Sequence, residues 1–183
     1  MKTEHQLLQA FREGNAQAGR QLYERFAGMA MTIGMRYTSS REAAEDVVQD
    51  GFVKLLTTID RFDYRGEGSL KAWVARVVAN CACDYVKEHE HIATTDTLPE
   101  TPDEPPEADD AVEKIPPDVL TGMISRLPAG YRTVLNLYVF EHYPHREIAR
   151  RLGIREQSSA SQLHRARKML RKMINEYLNR QPT

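Results

Sequence analysis

The side chains best suited to binding nucleic acid lie near the carboxyl end of the chain. Apolar residues at Ile148, Ala149 and Leu152 precede Gly153, and a second apolar stripe begins at Leu163. This spacing predicts a helix-turn-helix, because glycine permits the positive φ of a tight turn. We expect the second helix to present groups that hydrogen-bond base edges and phosphates in a major groove, namely Ser158, Ser161, Gln162, His164 and Arg165.

The charge of this segment supports the nucleic-acid interpretation. Residues 119–183 contain 12 Lys and Arg against four Asp and Glu, a net charge of +8, and no acid lies between Gln157 and Asn175. A helical hairpin with a solvated polar face is the alternative interpretation of the same pattern. So basic a small unit is typical of a DNA-binding domain, and we favour that interpretation.

A second group of polar residues lies in the first half of the chain. Asp46, Gln49 and Asp50 are spaced i, i+3 and i+4, so they share one face of a predicted helix. Taken alone, such an acidic face is usually a solvated surface.

The segment DRFDYRGEGS, residues 60–69, predicts a loop because it contains two glycines and several turn-forming residues. In the helix that follows, Arg76, Asn80 and Lys87 are spaced by four and seven and form one polar stripe. Trp73 and Tyr85 have the chemistry of stacking platforms for bases. Their place in the apolar stripe favours core packing for both.

A metal site deserves consideration because Cys81, Cys83, His89 and His91 form a CxC…HxH set. Residues i and i+2 of a helix point about 200° apart, so the two thiols cannot share one ion without unwinding. We therefore expect no metal and no cofactor. Two cysteines also cannot form a disulfide framework, which indicates a reducing compartment.

Apolar residues around these groups recur at helical steps of three and four. One predicted helix buries Leu22, Phe26, Met29, Ile33 and Tyr37. The next begins at a capping box of Ser39 and Glu42 and buries Ala44, Val48, Phe52, Leu55 and Ile59. A third, with Ser69 as N-cap, runs from Leu70 to about Glu90 and buries Leu70, Trp73 or Val74, Val77, Cys81 and Tyr85. Alternating strand patterns are absent, so the predicted fold class is all-α.

Residues 94–118 form an acidic, proline-rich linker. They include six prolines and nine acids against one base, a net charge of −8. Few apolar side chains are present to offset the entropy of ordering, which predicts an extended or disordered tether. A plain linker and an acidic segment that shields the basic carboxyl-terminal unit are both consistent with this composition.

Several functional classes are excluded. No run of 18 apolar residues exists, and the segment MKTEHQLLQAFREGN has no apolar signal core, so we expect no membrane insertion and a cytoplasmic location. Walker A, GxGxxG, GxSxG and HExxH motifs are all absent, so no enzyme class is indicated.

Two separate parts of the chain resemble one family. EIARRLGI and SQLHRARKMLRK resemble the promoter-reading region 4 of extracytoplasmic-function RNA polymerase sigma factors. EAAEDVVQDGFVKLL resembles region 2.2 of that family, and SLKAWVARVVANCACDYVK resembles regions 2.3 and 2.4. The segments occur in the family's order, and the acidic linker lies where these factors lack a full third domain.

The resemblance implies two small helical domains joined by the linker. Residues 1–93 would be a region 2 bundle that binds core RNA polymerase and the −10 element, and residues 119–183 a region 4 helix-turn-helix that binds the −35 element and the β flap. The expected activity is transcription initiation rather than catalysis. The expected partners are core polymerase, promoter DNA and an anti-sigma factor.

The resemblance also implies roles for individual residues. The β′ coiled coil would be contacted by Asp46, Gln49 and Asp50. The −10 element would be read and opened by Tyr64, Arg65, Ser69, Lys71, Arg76, Asn80 and Lys87. The −35 element would be read by Arg146, Ser158, Ser161, Gln162, His164 and Arg165. Family recognition helices often carry a basic residue at the positions of Ala160 and Gln162, so readout here is expected to differ.

The alternative function is a self-sufficient transcription regulator. A dimeric helix-turn-helix protein with an N-terminal dimerisation bundle would bind a palindrome without polymerase. Co-purification with core enzyme separates the two functions.

Overall fold

A computed structural model describes residues 2–90, 92 and 115–180, and in that part of the chain every regular element is helical. The predicted all-α fold class is therefore confirmed. The chain divides into two compact units, Met1–Glu88 and His89–Thr183. Most of the predicted linker, residues 93–114, lies outside the described residues.

The first unit contains four α-helices and one short 3-10 turn. They are α1 (Glu4–Arg12), α2 (Ala16–Tyr37), α3 (Arg41–Thr58), the 3-10 turn Ile59–Arg61 and α4 (Ser69–His89). Helices α1 and α3 both pack on α2. The core contains the predicted residues Leu22, Phe26, Ile33 and Tyr37 of α2 and Ala44, Val48, Phe52 and Leu55 of α3. Helical periodicity therefore identified the buried faces of α2 and α3, except that Met29 is only half-buried and Ala30 is buried beside it.

Two predictions about helix starts are corrected. The N-cap of α3 is Ser40 and not Ser39, since the Ser40 side chain accepts a hydrogen bond from the backbone N–H of Ala43 at 3.1 Å. Ser69 is the first residue of α4 and not its N-cap. Its hydroxyl donates to the carbonyl of Gly66 at 2.6 Å and accepts from the N–H of Arg65 at 3.2 Å, so it organises the preceding loop.

The predicted buried face of α4 is wrong beyond its second turn. The buried side chains follow a spacing of four, through Leu70, Val74, Val78, Ala82 and Val86. Val77, Cys81 and Tyr85 are only half-buried. Because several apolar residues follow one another in α4, the sequence was compatible with two different buried faces. The folded unit buries the face that was not predicted.

The second unit also contains four α-helices. They are α5 (Pro117–Ser125), α6 (Ala129–Leu135), α7 (His145–Leu152) and α8 (Glu156–Asn179), with a π-helical turn at Asn136–Phe140 after α6. Ordered residues of this unit also precede residue 119, the predicted start of the helix-turn-helix domain. Ile115 is buried with Met123 and Ile174, and α5 already starts at Pro117.

Helices α7 and α8 form the predicted helix-turn-helix. Gly153 adopts φ 67° and ψ 31°, the left-handed conformation that ends many helices. Ile154 donates its N–H to the carbonyl of Ala149 at 3.1 Å, which completes the turn. Ile148 and Leu152 of α7 and Leu163 and Ala166 of α8 are buried, as the sequence predicted.

Arg132 fixes the turn that precedes α6. Its side chain is buried, and Nη1 donates to the carbonyls of Ser125 and Leu127, both at 2.9 Å. Glu90, in the same unit, supplies the compensating negative charge through an ion pair with Nη2. Since a buried unpaired charge costs several kcal/mol, this pairing is needed to hold α6 where it packs against α8.

Candidate nucleic-acid interfaces

An open cavity of about 530 Å³ lies where the 60–69 loop meets α4. It is lined by Arg61, Phe62, Asp63, Arg65, Ser69, Ala72, Trp73 and Arg76. The rings of Phe62 and Trp73 are stacked, with centroids 4.9 Å apart and planes 29° apart. Flat apolar surface beside exposed guanidinium groups is the combination that binds a base together with its phosphate.

Helix α1 holds both ends of this loop through side chains that the sequence analysis did not identify. Glu4 is only 3% exposed, and its carboxylate accepts hydrogen bonds from the backbone N–H groups of Gly68 at 2.9 Å, Leu70 at 3.1 Å and Lys71 at 3.3 Å. Glu4 thus caps α4 from another helix. Its partners lie 64 to 67 residues away in sequence, so no local signal predicts them.

Arg12 binds the other end of the loop. Its Nη2 lies 3.2 Å from the carbonyl oxygen of Ile59, 3.3 Å from that of Asp60 and 2.5 Å from that of Phe62. These carbonyls belong to the 3-10 turn and to the first residue after it. Both ends of the loop are therefore tied to α1.

The cavity brings together three of the seven residues predicted for the −10 element. Arg65, Ser69 and Arg76 line it, whereas Tyr64, Lys71, Asn80 and Lys87 do not. Tyr64 packs its ring on His5 and donates its hydroxyl to Glu67 at 3.3 Å. Desolvation and the neighbouring Glu67 raise the pKa of Tyr64 above its usual value of 10.0.

The other three residues lie along α4. Lys71 and Lys87 are exposed and Asn80 is half-buried. Trp73 is also half-buried, and it both stacks on Phe62 and lines the cavity. Core packing and a stacking surface are therefore compatible roles for this residue.

Helix α3 presents the predicted acidic face to solvent. Asp46, Gln49 and Asp50 are all exposed, while Val47, Val48 and Phe52 are buried. Val53 continues the exposed face by one turn and is 58% exposed. The sequence analysis missed this apolar residue, which is a typical component of a protein-binding surface.

The recognition surface of α8 differs from the prediction at two positions. Ser158 and Gln162 were predicted to lie on the free surface, but they are 4% and 6% exposed. Helix α8 packs on both α6 and α7, and one face of its first two turns, including Ser158, Ser159 and Gln162, is buried. A Cβ on Gly130 would lie 2.5 Å from Oε1 of Gln162, so Gln162 fits only against this glycine of α6.

The remaining predicted residues are accessible. Arg146, Ser161 and His164 are exposed, and Arg165 is half-buried with Nη1 3.4 Å from the hydroxyl of Tyr131. Three further exposed residues flank Ser161 and His164 on the same face of α8 and were not predicted: Gln157, Ala160 and Lys168. Their helical spacing could have identified them had the enclosure of Ser158 and Gln162 been known.

His145 connects the two helices of the helix-turn-helix. Its Nδ1 lies 2.9 Å from the hydroxyl oxygen of Ser159, and its ring stacks on Tyr138 with centroids 4.6 Å apart. Burial lowers the pKa of His145 below the usual 6.5; Arg167 lowers it further and Glu156 opposes the shift. The neutral imidazole is therefore the form that suits this packing.

Cys81 and Cys83 are both free cysteines and form no disulfide bond. Cys81 is half-buried and Cys83 is buried, and burial raises the pKa of the Cys81 thiol above 9.0. Among residues 2–90, 92 and 115–180, no three His, Cys, Asp or Glu side chains are grouped so as to hold a metal ion. His91, the fourth member of the considered set, is outside the described residues.

None of the helices in the described ranges has the length and hydropathy needed to cross a bilayer.

Comparison with known proteins identifies both units. The family model for sigma-70 region 2 matches residues 22–92, and the model for sigma-70 region 4 matches residues 110–170. The chain is 27% identical over 160 residues to the ECF RNA polymerase sigma factor SigM of Bacillus subtilis, covering 87% of this chain and 96% of that protein.

Two further relatives have the same description. The ECF RNA polymerase sigma factor SigE of Mycolicibacterium smegmatis is 26% identical over 156 residues, which cover 82% of this chain and 59% of that protein. The ECF RNA polymerase sigma-E factor of Haemophilus influenzae is 25% identical over 184 residues, which cover 94% of this chain and 95% of that protein.

Proposed function

The chain belongs to the extracytoplasmic-function sigma factors of the sigma-70 family, and from that premise we propose that its two units divide promoter recognition between them. As a sigma factor it binds core RNA polymerase, recognises promoter elements and directs initiation. Residues 1–93 bind core polymerase and the −10 element, and residues 119–183 bind the −35 element. Residues 94–118 link the two units. A self-sufficient dimeric regulator is not favoured, because two sigma regions match in order.

The observation that carries the −10 assignment is the cavity beside α4. A base that leaves the duplex needs a flat apolar surface to replace its lost stacking, and Phe62 and Trp73 offer one. Arg65 and Arg76, both exposed at the rim, are placed to neutralise the phosphates on either side. Asn80 and Lys87 extend this binding surface along α4, and Tyr64 and Lys71 flank it.

Helix α3 supplies the surface for core polymerase. Asp46 and Asp50 offer negative charge to the basic β′ coiled coil, the Gln49 amide adds a neutral hydrogen-bonding group, and the exposed Val53 adds apolar contact. Complementary charge at such an interface sets approach and orientation, while buried apolar groups supply most of the affinity. An anti-sigma factor that covered this same face would block polymerase binding.

Helix α8 enters the major groove of the −35 element with an altered set of residues. The residues that contact the −35 DNA are Ser161, His164 and Arg165, as predicted, together with Gln157 and Lys168. Ser158 and Gln162 instead position the helix from within the unit. Arg146, exposed on α7, contacts a phosphate. Val139 and Phe140, 38% and 37% exposed, offer apolar contact for the β flap.

The polymerase assignment is tested by reversing one charge on α3. Asp50→Lys should weaken binding to core polymerase by at least about tenfold, because like charges would face each other at the β′ contact. Affinity is measured with labelled core enzyme, and promoter activity by transcription in vitro. Glu13→Lys, the same charge change at an exposed residue of the first unit, is the matched control. Normal core binding by Asp50→Lys would refute the assignment.

The −10 assignment is tested on α4. Arg76→Ala, which removes a phosphate contact, and Asn80→Ala, which removes a base contact, should each leave core binding intact and lower affinity for the −10 single strand by about 5- to 100-fold. Permanganate reactivity of the −10 thymines should fall in parallel. Arg20→Ala removes an exposed arginine from α2 and serves as control. Open complexes that form normally with both variants would contradict the proposal.

A further inference from the structure

Helix α1 contributes no residue to the lining of the cavity, yet it carries two charged side chains with specific distant partners. Glu4 and Arg12 lie at its two ends, eight residues or about 12 Å apart along the helix axis. Buried Leu7 and Leu8 fix α1 in the core of the first unit. The two charged groups are therefore held at a set separation by a rigid element.

Each charged group binds backbone and not side chains. Glu4 accepts from three N–H groups where the loop enters α4, and Arg12 approaches three carbonyl oxygens where the loop leaves α3 and its 3-10 turn. The negative charge lies at the positive end of the α4 dipole, where it is favoured. Charge-assisted hydrogen bonds of this kind are roughly twice as strong as neutral ones.

Contacts around α1 strengthen the same connection. Arg25 donates to the carbonyl of Lys2 at 2.7 Å and to Glu67 at 3.2 Å, and the ring of His5 lies 4.8 Å from that of Tyr64. His5 of α1 thus contacts the middle of the loop directly, and Arg25 of α2 bridges Lys2 to Glu67 of the loop.

The wall of the cavity depends on the backbone that α1 holds. Phe62, whose carbonyl Arg12 binds, lines the cavity and stacks on Trp73. Ser69, between the Glu4-bound residues Gly68 and Leu70, also lines the cavity and bonds to Arg65. A shift at either end of the loop would therefore change the spacing between the aromatic surface and the arginine rim.

We infer that α1 is a brace that sets the shape of the base-binding cavity, with Glu4 and Arg12 as positioning residues for −10 recognition. The inference rests on the proposed function of the cavity. It assigns promoter selectivity to two residues that contact no DNA, since they act through the loop backbone.

The test compares Glu4→Gln and Arg12→Gln with the matched exposed controls Glu13→Gln and Arg20→Gln in the full chain. Both brace variants should increase amide hydrogen exchange in residues 60–71. Each should lower affinity for the −10 single strand by about tenfold, comparable to losing one hydrogen bond to a charged group. The ratio of the affinity for a strand with the preferred −10 base to the affinity for a strand with a substituted base should also fall. Core binding and the controls should be unchanged.

A double variant separates positioning from general destabilisation. If Glu4 acts through the cavity, Glu4→Gln should add little to the loss of strand affinity once Arg76→Ala has disabled the rim. Full additivity, or faster amide exchange with unchanged base preference, would overturn the inference and leave the proposed function intact. Arg12 is exposed, so Arg12→Gln provides a folded variant if Glu4→Gln proves unstable.

Failure of the proposed function itself would have a different signature. In that case Arg76→Ala and Asn80→Ala would bind the −10 strand normally. This result would refute the proposed function of the cavity and also the inference about selectivity that rests on it. Accelerated exchange in the brace variants would then report a structural contact alone.

Discussion

His145 shows how one side chain couples the helix-turn-helix to pH. Burial lowers the pKa of its imidazole, so between that pKa and the unfolded value near 6.5 the folded chain binds fewer protons than the unfolded chain. Its contribution to stability is therefore present above pH 6.5 and is lost as pH falls through this window. Protonation would place a positive charge beside Arg167 and against the ring of Tyr138.

We predict that His145→Gln reduces the loss of unfolding free energy between about pH 7.5 and about pH 5.5, because glutamine keeps a hydrogen-bonding group near Ser159 without titrating. Urea denaturation at the two pH values gives the comparison. Gln157→Ala, at an exposed position of α8 whose side chain does not titrate, is the control and should keep the wild-type pH dependence. A His145→Gln variant as sensitive to acid as the wild type would show that other groups cause the effect.

Ser158 and Gln162 show the limit of sequence reasoning for single residues. Polar side chains on a basic helix were assigned to the DNA-facing surface, yet both are buried in the second unit. Residue type alone cannot reveal this, because the space for Gln162 exists only where Gly130 lacks a Cβ. Ser161 and His164, one turn away on the other face, lie on the surface as predicted.

At the scale of elements, substitution of Gly153 tests whether the conformation of the turn contributes to the stability of the helix-turn-helix. Its positive φ strains any residue with a Cβ, whereas no atom lies within 4 Å of the position a Cβ would take. We predict that Gly153→Ala lowers the free energy of unfolding by about 1–2 kcal/mol, the cost of the left-handed conformation. Chemical denaturation followed by far-ultraviolet circular dichroism measures the change.

The companion variant Gly153→Asn should cost less, because asparagine tolerates the left-handed region better than alanine. Equal stability of Gly153→Ala and the wild type would show that the turn relaxes without strain. A larger loss for Asn than for Ala would point to side-chain packing and not to φ.

Individual helices were predictable to different degrees. The buried faces of α2 and α3 follow from apolar residues spaced by three and four. The buried face of α4 could not be predicted in this way, because its consecutive apolar residues are compatible with two different faces. Packing against the rest of the unit selects one of them. The contacts of Glu4 and Arg12 in helix α1 span 47 to 67 residues of sequence, so no local pattern could have indicated the bracing role proposed for this helix.

At the scale of the whole molecule, the order of charge and motif was the most informative feature of the sequence. Net charges of −1, −8 and +8 for residues 1–93, 94–118 and 119–183 sum to a value that conceals the basic unit. Two family motifs in the correct order supported the family that the comparisons confirm. Ile115 is buried in the second unit although it lies in the acidic, proline-rich segment, where isolated buried residues leave almost no periodic signal.

The stacked pair of Phe62 and Trp73 has a practical consequence. Trp73 is the chain's one tryptophan, and it lines the cavity proposed for the flipped base. With excitation at the long-wavelength edge of indole absorption, where the eight tyrosines absorb little, emission from the free protein comes from a single indole at the site of interest. Titration with short oligonucleotides can follow that emission directly, so the chain carries an intrinsic optical probe and needs no dye.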